Sequence, residues 1–265
     1  DSSDDSSANE LMDAATQLKR SAEKEEAHYF KVFLEDIKPD YDQLLDEELV
    51  TDYLKEVAPI DFSLPFKSRY YNAIEEEYKP YSNGLSYVNI SVNQQNDIRK
   101  RYGLKIEGTE DTIEELECFI IKDDKYGELA WGWFALTKFS KAIPASDANR
   151  GLRLRKHNIQ IGDQTVLNKY FTEARGNNYF YGEVHVLHDQ IKPDSGRSGL
   201  APTPESLRLL DLLKVKFVEL KKLYNIANEA KNAVKNILDL SSRASSGEYT
   251  PEEAETHKNN IKPAT

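Results

Sequence analysis

Residues 150–197 constrain this chain more than any other stretch. They open as Arg150-Gly-Leu-Arg-Leu-Arg-Lys-His-Asn-Ile-Gln-Ile-Gly-Asp163 and resume after a short gap as Tyr179-Phe-Tyr-Gly-Glu-Val-His-Val-Leu187. They end in the basic turn Lys192-Pro-Asp-Ser-Gly-Arg197. Two strand-like runs enclose a short helix-like one, and a lone arginine then sits in a polar turn ahead of a long helix. Such a unit belongs to a sheet with helices packed on it. A turn carried by rigid elements is also where side chains are usually offered to ligands. The layout suits delivery of one fixed cation to an anion held elsewhere.

Charge and cysteine content narrow the function classes. The 265 residues carry a formal net charge of −11, which argues against a general nucleic-acid binder, because phosphate neutralisation needs a basic footprint. Cys118 is the only cysteine, so no intrachain disulfide can form, as suits a reducing, cytoplasmic setting. No apolar run approaches the roughly 20 residues that span a bilayer, so no membrane partner is expected. The polar start Asp1-Ser-Ser-Asp-Asp-Ser-Ser-Ala8 does not read as a secretory signal and lacks an initiator methionine, Met12 being the sole methionine. The expectation is an excised piece of something longer.

Periodicity predicts an α+β fold: a mixed sheet with helices on one face, flanked by helical segments. Residues 1–8 read as disordered. Helices are predicted over Glu10–Glu26, Asp40–Val57 and Ser68–Glu77, with a strand over Tyr29–Leu34. From about residue 85 the texture turns to strands. Tyr87, Asn89 and Ser91 alternate with Val88, Ile90 and Val92; Leu116–Lys122 and Glu128–Lys138 form a hairpin about the turn Lys122–Gly127. Trp131 and Trp133 fall on one face and read as core or helix-packing rings. Gly151–Ile161 and Tyr179–Leu187 are further strands, with a short helix at Thr165–Phe171 between them. Thr203 and Pro204 form an N-cap and N1 pair opening a long leucine-striped helix, broken at Ser241–Gly247, and Thr250-Pro-Glu-Glu253 opens a last one. The implied division is 9–80 as a helical linker, 81–202 as the α/β domain and 203–265 as C-terminal helices.

The chemistry-bearing motifs are few. There is no Gly-x-x-x-x-Gly-Lys-Ser/Thr and no Gly-x-Gly-x-x-Gly after a strand, so the chain shows no nucleotide cradle of its own. His185 and His188, near Glu183 and Asp189, would point to different sides of a strand, and no metal site is predicted. Cys118 lies in an apolar strand and reads as inert, and no serine sits in a Gly-x-Ser-x-Gly elbow. The basic residues remain. Arg153 and Arg155 share one strand face, with Lys156 beside them; they form either an anion-binding patch, a solvated face or pairs with the chain's many acids. Arg197 stands in Asp194-Ser-Gly-Arg-Ser-Gly199, and the planar fork of arginine suits phosphate.

The run 150–213 resembles the middle, or transducer, domain of the Bergerat-fold ATPases, the superfamily of DNA gyrase, the ninety-kilodalton heat-shock chaperones, histidine kinases and mismatch-repair ATPases. The resemblance is nearest to bacterial members of the heat-shock-chaperone-like branch. Their pattern Arg-Gly-Leu/Ile-Arg-Leu-Arg-x-x-Asn-Ile-Gln-Ile-Gly-Asp followed by Gly-Glu-Val-His-Val stands here at Arg150–Asp163 and Gly182–Val186. Leu44–Phe62 is similar to the helix and proline that close the ATPase domain, and Tyr29–Ile37 to that domain's last strand.

The resemblance implies a βαβ crossover of the left-handed transducer type. It implies that the chain is not an enzyme by itself, holds no cofactor, and works with ATP and Mg bound by an N-terminal ATPase domain of the same protein. A homodimer and a protein client are further candidate partners. By position Arg197 corresponds to the family's γ-phosphate-contacting arginine, although Pro193-Asp-Ser-Gly-Arg197 places a glycine where the chaperones have a serine. Arg153, Arg155 or Lys156 could make that contact instead. Two other classes stay open: a protein-interaction module with no ATPase role, and a transducer that touches nucleic acid.

Overall fold

The computed structural model describes residues 32–81, 85–93 and 97–246. The helices read at Glu10–Glu26 and after Thr250, the disordered start, and residues 29–31 of the first strand lie outside them. Residues 32–42 belong to a separate unit from the rest; Val32–Leu34 form no strand there. The remainder is one unit built on a five-stranded mixed sheet, which makes the fold α+β as expected.

The helix expected over Asp40–Val57 is two pieces. Pro39–Leu45 is a 3-10 helix, and α1 runs from Glu47 to Val57. The break is Asp46, whose carboxylate accepts from the backbone N–H groups of Glu48 (2.9 Å) and Leu49 (3.1 Å) and so caps a new helix. Pro59 holds Ala58 extended and ends it. Helix α2 spans Leu64–Tyr78, four residues earlier than the apolar spacing suggested, because Pro65 sits in the first turn where its missing N–H is not needed. Phe66, Tyr70, Ile74 and Tyr78 recur every fourth residue and form its buried face.

The alternation over Tyr87–Val92 produces no strand. Tyr87 packs against Phe62 and Tyr71 while Val88 is 46% exposed, but no strand lies alongside, and the segment makes only isolated bonds such as Val88 N–H to the Pro59 carbonyl at 2.9 Å. The hairpin about Lys122–Gly127 is present as β1 (Glu115–Asp123) and β2 (Gly127–Leu136). The single strand read over Gly151–Ile161 instead folds back on itself as β3 (Gly151–Lys156) and β4 (Ile159–Ile161). His157 (φ 51°) and Asn158 (φ 61°) make the two-residue turn. Both must enter the left-handed region, which asparagine tolerates better than most residues. The helix read over Thr165–Phe171 shrinks to the 3-10 turn Asn168–Tyr170, followed by another at Ala174–Tyr179. These turns carry the chain over to β5 (Tyr181–Val186), which pairs parallel with β3 and antiparallel with β2, giving the order β1-β2-β5-β3-β4.

Helix α3 is a single helix from Pro204 to Ser245, with no break at Ser241. Thr203 Oγ1 accepts from the Ser206 N–H (3.1 Å) and Ser206 Oγ accepts from the Thr203 N–H (2.8 Å), a reciprocal cap in which serine replaces the usual glutamate. Its stripe Leu209, Leu213, Phe217, Leu220 and Tyr224 packs on Leu152, Leu154, Val184 and Val186. On the opposite face α2 covers Trp131 and Trp133, the two rings assigned to one side of β2. Helices therefore lie on both faces of the sheet rather than one. The strands demanded it, since β2 is buried along Leu129–Ala135 on both sides.

The boundaries placed at residues 80 and 202 also dissolve. The aromatic face of α2 and the first half of α3 are halves of the sheet's own core, not appendages to it. Phe217 stacks on Phe171 with centroids 4.2 Å apart and is fully buried. Phe217→Ala should cost about 3–5 kcal/mol, read as a lowered urea midpoint with unchanged m-value.

Candidate anion-contact site

Arg197 stands at the tip of a small closed loop. Pro193 and Leu200 bridge its ends, and the Asp194 N–H donates to the Gly199 carbonyl at 3.0 Å. The Asp194 carboxylate ties the tip, accepting from the Ser198 N–H (2.8 Å) and hydroxyl (2.9 Å). The Arg197 backbone takes a positive φ of 51° and its carbonyl accepts from the Gly162 N–H at 2.6 Å, which docks the loop on the end of β4. Gly162 is needed there. Its φ is +64°, and a Cβ would stand 2.9 Å from the Ser198 carbonyl oxygen.

The Arg197 side chain is exposed. One nitrogen, Nη2, donates to the Gln160 carbonyl at 3.3 Å, which aims the guanidinium along β4. Beside it is a cleft of about 370 Å³ whose walls include Tyr53 of α1, Gln160, Gly162 and Ser198. The Gln160 amide group donates to the Gly162 carbonyl (3.0 Å), while its buried Oε1 has no partner. Neither Tyr53 nor Gln160 was visible as a site residue in the sequence; only the folding of α1 against β4 brings them to Arg197.

Arg153, Arg155 and Lys156 are placed differently. All three are buried and their charged ends are engaged within the fold. Arg153 pairs with Glu56 of α1 at 2.6 Å and donates to the Ala148 carbonyl. Arg155 donates to the carbonyls of Asn158 (2.9 Å) and Glu56 (2.8 Å). Lys156 donates to the carbonyls of His188 (2.8 Å) and Leu187 (3.3 Å). The solvated-face alternative for the two arginines is thus replaced by pairing with acids and carbonyls, and this geometry leaves the group without a donor turned outward to phosphate.

Arg155 also joins a buried cluster that the sequence did not reveal. Glu183 of β5 is fully buried; its carboxylate lies 2.6 Å from Arg155 Nε, in an ion pair whose N–H is not aimed for a hydrogen bond. Lys100 Nζ donates to both Glu183 oxygens (2.9 and 3.0 Å) and to Asn158 Oδ1 (2.7 Å). His185 Nε2 is 3.1 Å from the second oxygen. Burial by itself would raise the Glu183 carboxyl, but the Arg155 and Lys100 charges overcome it and hold it well below the usual carboxylate range. Two cations face one anion, and the excess falls on Lys100. Burial, reinforced by the Arg155 charge, pulls its ammonium down to about 7. Burial likewise lowers His185, which is neutral at physiological pH.

His188, on the other side of the strand end, accepts from the Gln190 N–H through Nδ1, so the two histidines do not converge. Among the described residues no group of three or more His, Cys, Asp or Glu side chains could hold a metal. Burial, then the nearby Glu77 and Glu117, pushes the Cys118 thiol up to about 12, which keeps it protonated and unreactive. A scan against protein-family models and a search of curated proteins return no match to this chain.

The cluster has a pH signature. Lys100 titrates near 7 in the folded chain and near 10.5 when unfolded. Between those values the unfolded chain holds the extra proton, so stability rises with pH and is lost as pH falls through 7. The gain in urea midpoint from pH ~6 to ~9 should be smaller in Lys100→Met than in the wild type. Glu183→Gln, which leaves two buried cations facing each other, should lose about 3–5 kcal/mol at neutral pH.

Proposed function

We propose that this chain is the transducer, or middle, segment of a heat-shock-chaperone-like Bergerat-fold ATPase, acting in the cytoplasm. It is not an enzyme by itself. It couples ATP binding and hydrolysis in an adjoining N-terminal domain to a change in domain arrangement. Arg197 is the contact, and the group it meets is a phosphoryl oxygen of ATP, bound with Mg by that domain.

The observation behind this choice is the contrast between Arg197 and the other candidate cations. Arg153, Arg155 and Lys156 are engaged in the fold, whereas Arg197 is exposed on a loop braced by Asp194 and Gly162, beside an open cleft. A guanidinium held in position stabilises charge that develops on a transferring phosphoryl group without reorganising at the moment of reaction. A charge that is favoured in one domain arrangement also biases the equilibrium toward it. The parallel pairing of β3 with β5 supports the same reading in its strand arrangement, with β4 and two 3-10 turns standing where a transducer's crossover would carry a helix.

The test is steady-state ATP turnover by the polypeptide that carries this chain together with its nucleotide-binding domain. Arg197→Ala should lower turnover by about 10³-fold or more, as loss of an arginine finger does, with Arg197→Lys in between. Unchanged turnover in Arg197→Ala overturns the assignment. A protein-interaction role is the second reading, favoured by exposed Ile226, Val234, Ile237 and Leu238 along the outer half of α3.

A further inference from the structure

Helix α3 contributes to the core only as far as Tyr224 and the partly buried Ala227. Beyond that point it continues for some five turns to Ser245 with its side chains largely exposed. A bare helical extension of that length is marginal in water unless something covers an apolar face.

The apolar residues on this extension are ordered. Ile226, Ala230, Ala233, Ile237 and Leu240 follow one another at intervals of four, three, four and three residues. That is the heptad spacing of a coiled-coil seam. At about 100° per residue this seam lies roughly 140° around the helix from the stripe that packs on the sheet, so it is a separate face. One step back along the same line stands Leu223, which packs against the core cluster, and the next step is the charged Glu219, so the exposed seam begins where the packed part of the helix ends. Ile226 and Ile237 are 61% and 51% exposed, although they are large apolar residues at the centre of the stripe.

The geometry points to antiparallel pairing of this helix segment with the same segment of a second copy of the chain, centred at residue 235. In that register the seam is complementary to itself. Ala230 of one copy meets Leu240 of the other, and Ala233 meets Ile237, so each large side chain faces an alanine and the helices can approach closely. The flanking charges agree. In an antiparallel pair the positions on one side of the seam face the same positions of the partner, which sets Glu229 against Arg243 twice, with Asn236 facing its own counterpart between them. Val234 meets Val234 on the other flank. A parallel pair would instead set Glu229 against the uncharged flank at Val234.

The bodies also clear one another. In this register Tyr224, the last fully buried residue of one copy, falls level with Ser246, the cap of the other copy's helix, so the two packed bodies sit at opposite ends of the paired segment. The overlap is about 28 Å of helix and buries on the order of 1,000 Å² in total, the lower limit of a specific interface. The association is correspondingly modest.

Sedimentation equilibrium of the full 265-residue chain, at up to about 100 µM, should show a dimer. Ile237→Glu should give a monomer with an unchanged urea midpoint, since that residue adds nothing to the folded core. Glu229→Arg and Arg243→Glu should each weaken the dimer at least tenfold, and the double variant should restore it. Failure of the double variant to restore dimerisation overturns the antiparallel register. A dimer that survives Ile237→Glu overturns the choice of seam. A monomer at the highest concentration overturns the proposal altogether, whether the seam stays bare or residues 10–26 of the same chain cover it.

Discussion

One buried carboxylate organises the face of the sheet beneath α2. Glu183 sits mid-strand in β5 and gathers Lys100, Arg155 and His185 around it. Lys100 brings in the irregular segment after residue 97, whose backbone also bonds to Asp61 at the start of α2 (2.9 Å). Arg155 brings in β3, the His157–Asn158 turn and the end of α1. The irregular segment at Lys100 and the end of α1 are thereby tied to the paired strands β3 and β5. The cost of burying these charges is offset only while all of them are present, so the cluster specifies the arrangement more than it stabilises it.

The loop bearing Arg197 inherits its position from that frame. Arg153 and Arg155 both hold Glu56, one through its side chain and one through its carbonyl, and this fixes the C-terminal turn of α1 beside β4. Tyr53 then stands one turn earlier on the wall of the cleft, and β4 presents the Gln160 carbonyl that aims Arg197. The basic strand is therefore connected to the Arg197 loop as its support. The same residues that resemble a phosphate-binding patch in the sequence are what hold α1 and β4 beside Arg197.

How much of this was legible in advance differs by element. The β1–β2 hairpin, β5 and the capped start of α3 were readable because each carries a strong local signal: alternation around a polar turn, a β-branched run, or Thr203 before Pro204. Tyr87–Val92 carries the same alternation and yields no strand, because a strand also needs a neighbour to pair with. The turn at His157–Asn158 was hidden because neither residue is a glycine, although both take positive φ. Arg197 was legible as a candidate from its loop; Glu56, Lys100, Gln160 and Tyr53 were not, since their roles arise from contacts with residues far along the chain.

Sequence alone determined the α+β class, the existence of most elements and the candidacy of Arg197. All of these are periodic or local, and so are written in the order of residues. Tertiary structure decided which cations are spoken for, that helices lie on both faces of the sheet, and that the heptad faces away from the core. Each of those depends on which distant side chains share a buried space, where a charge must find a partner and an apolar face must find cover.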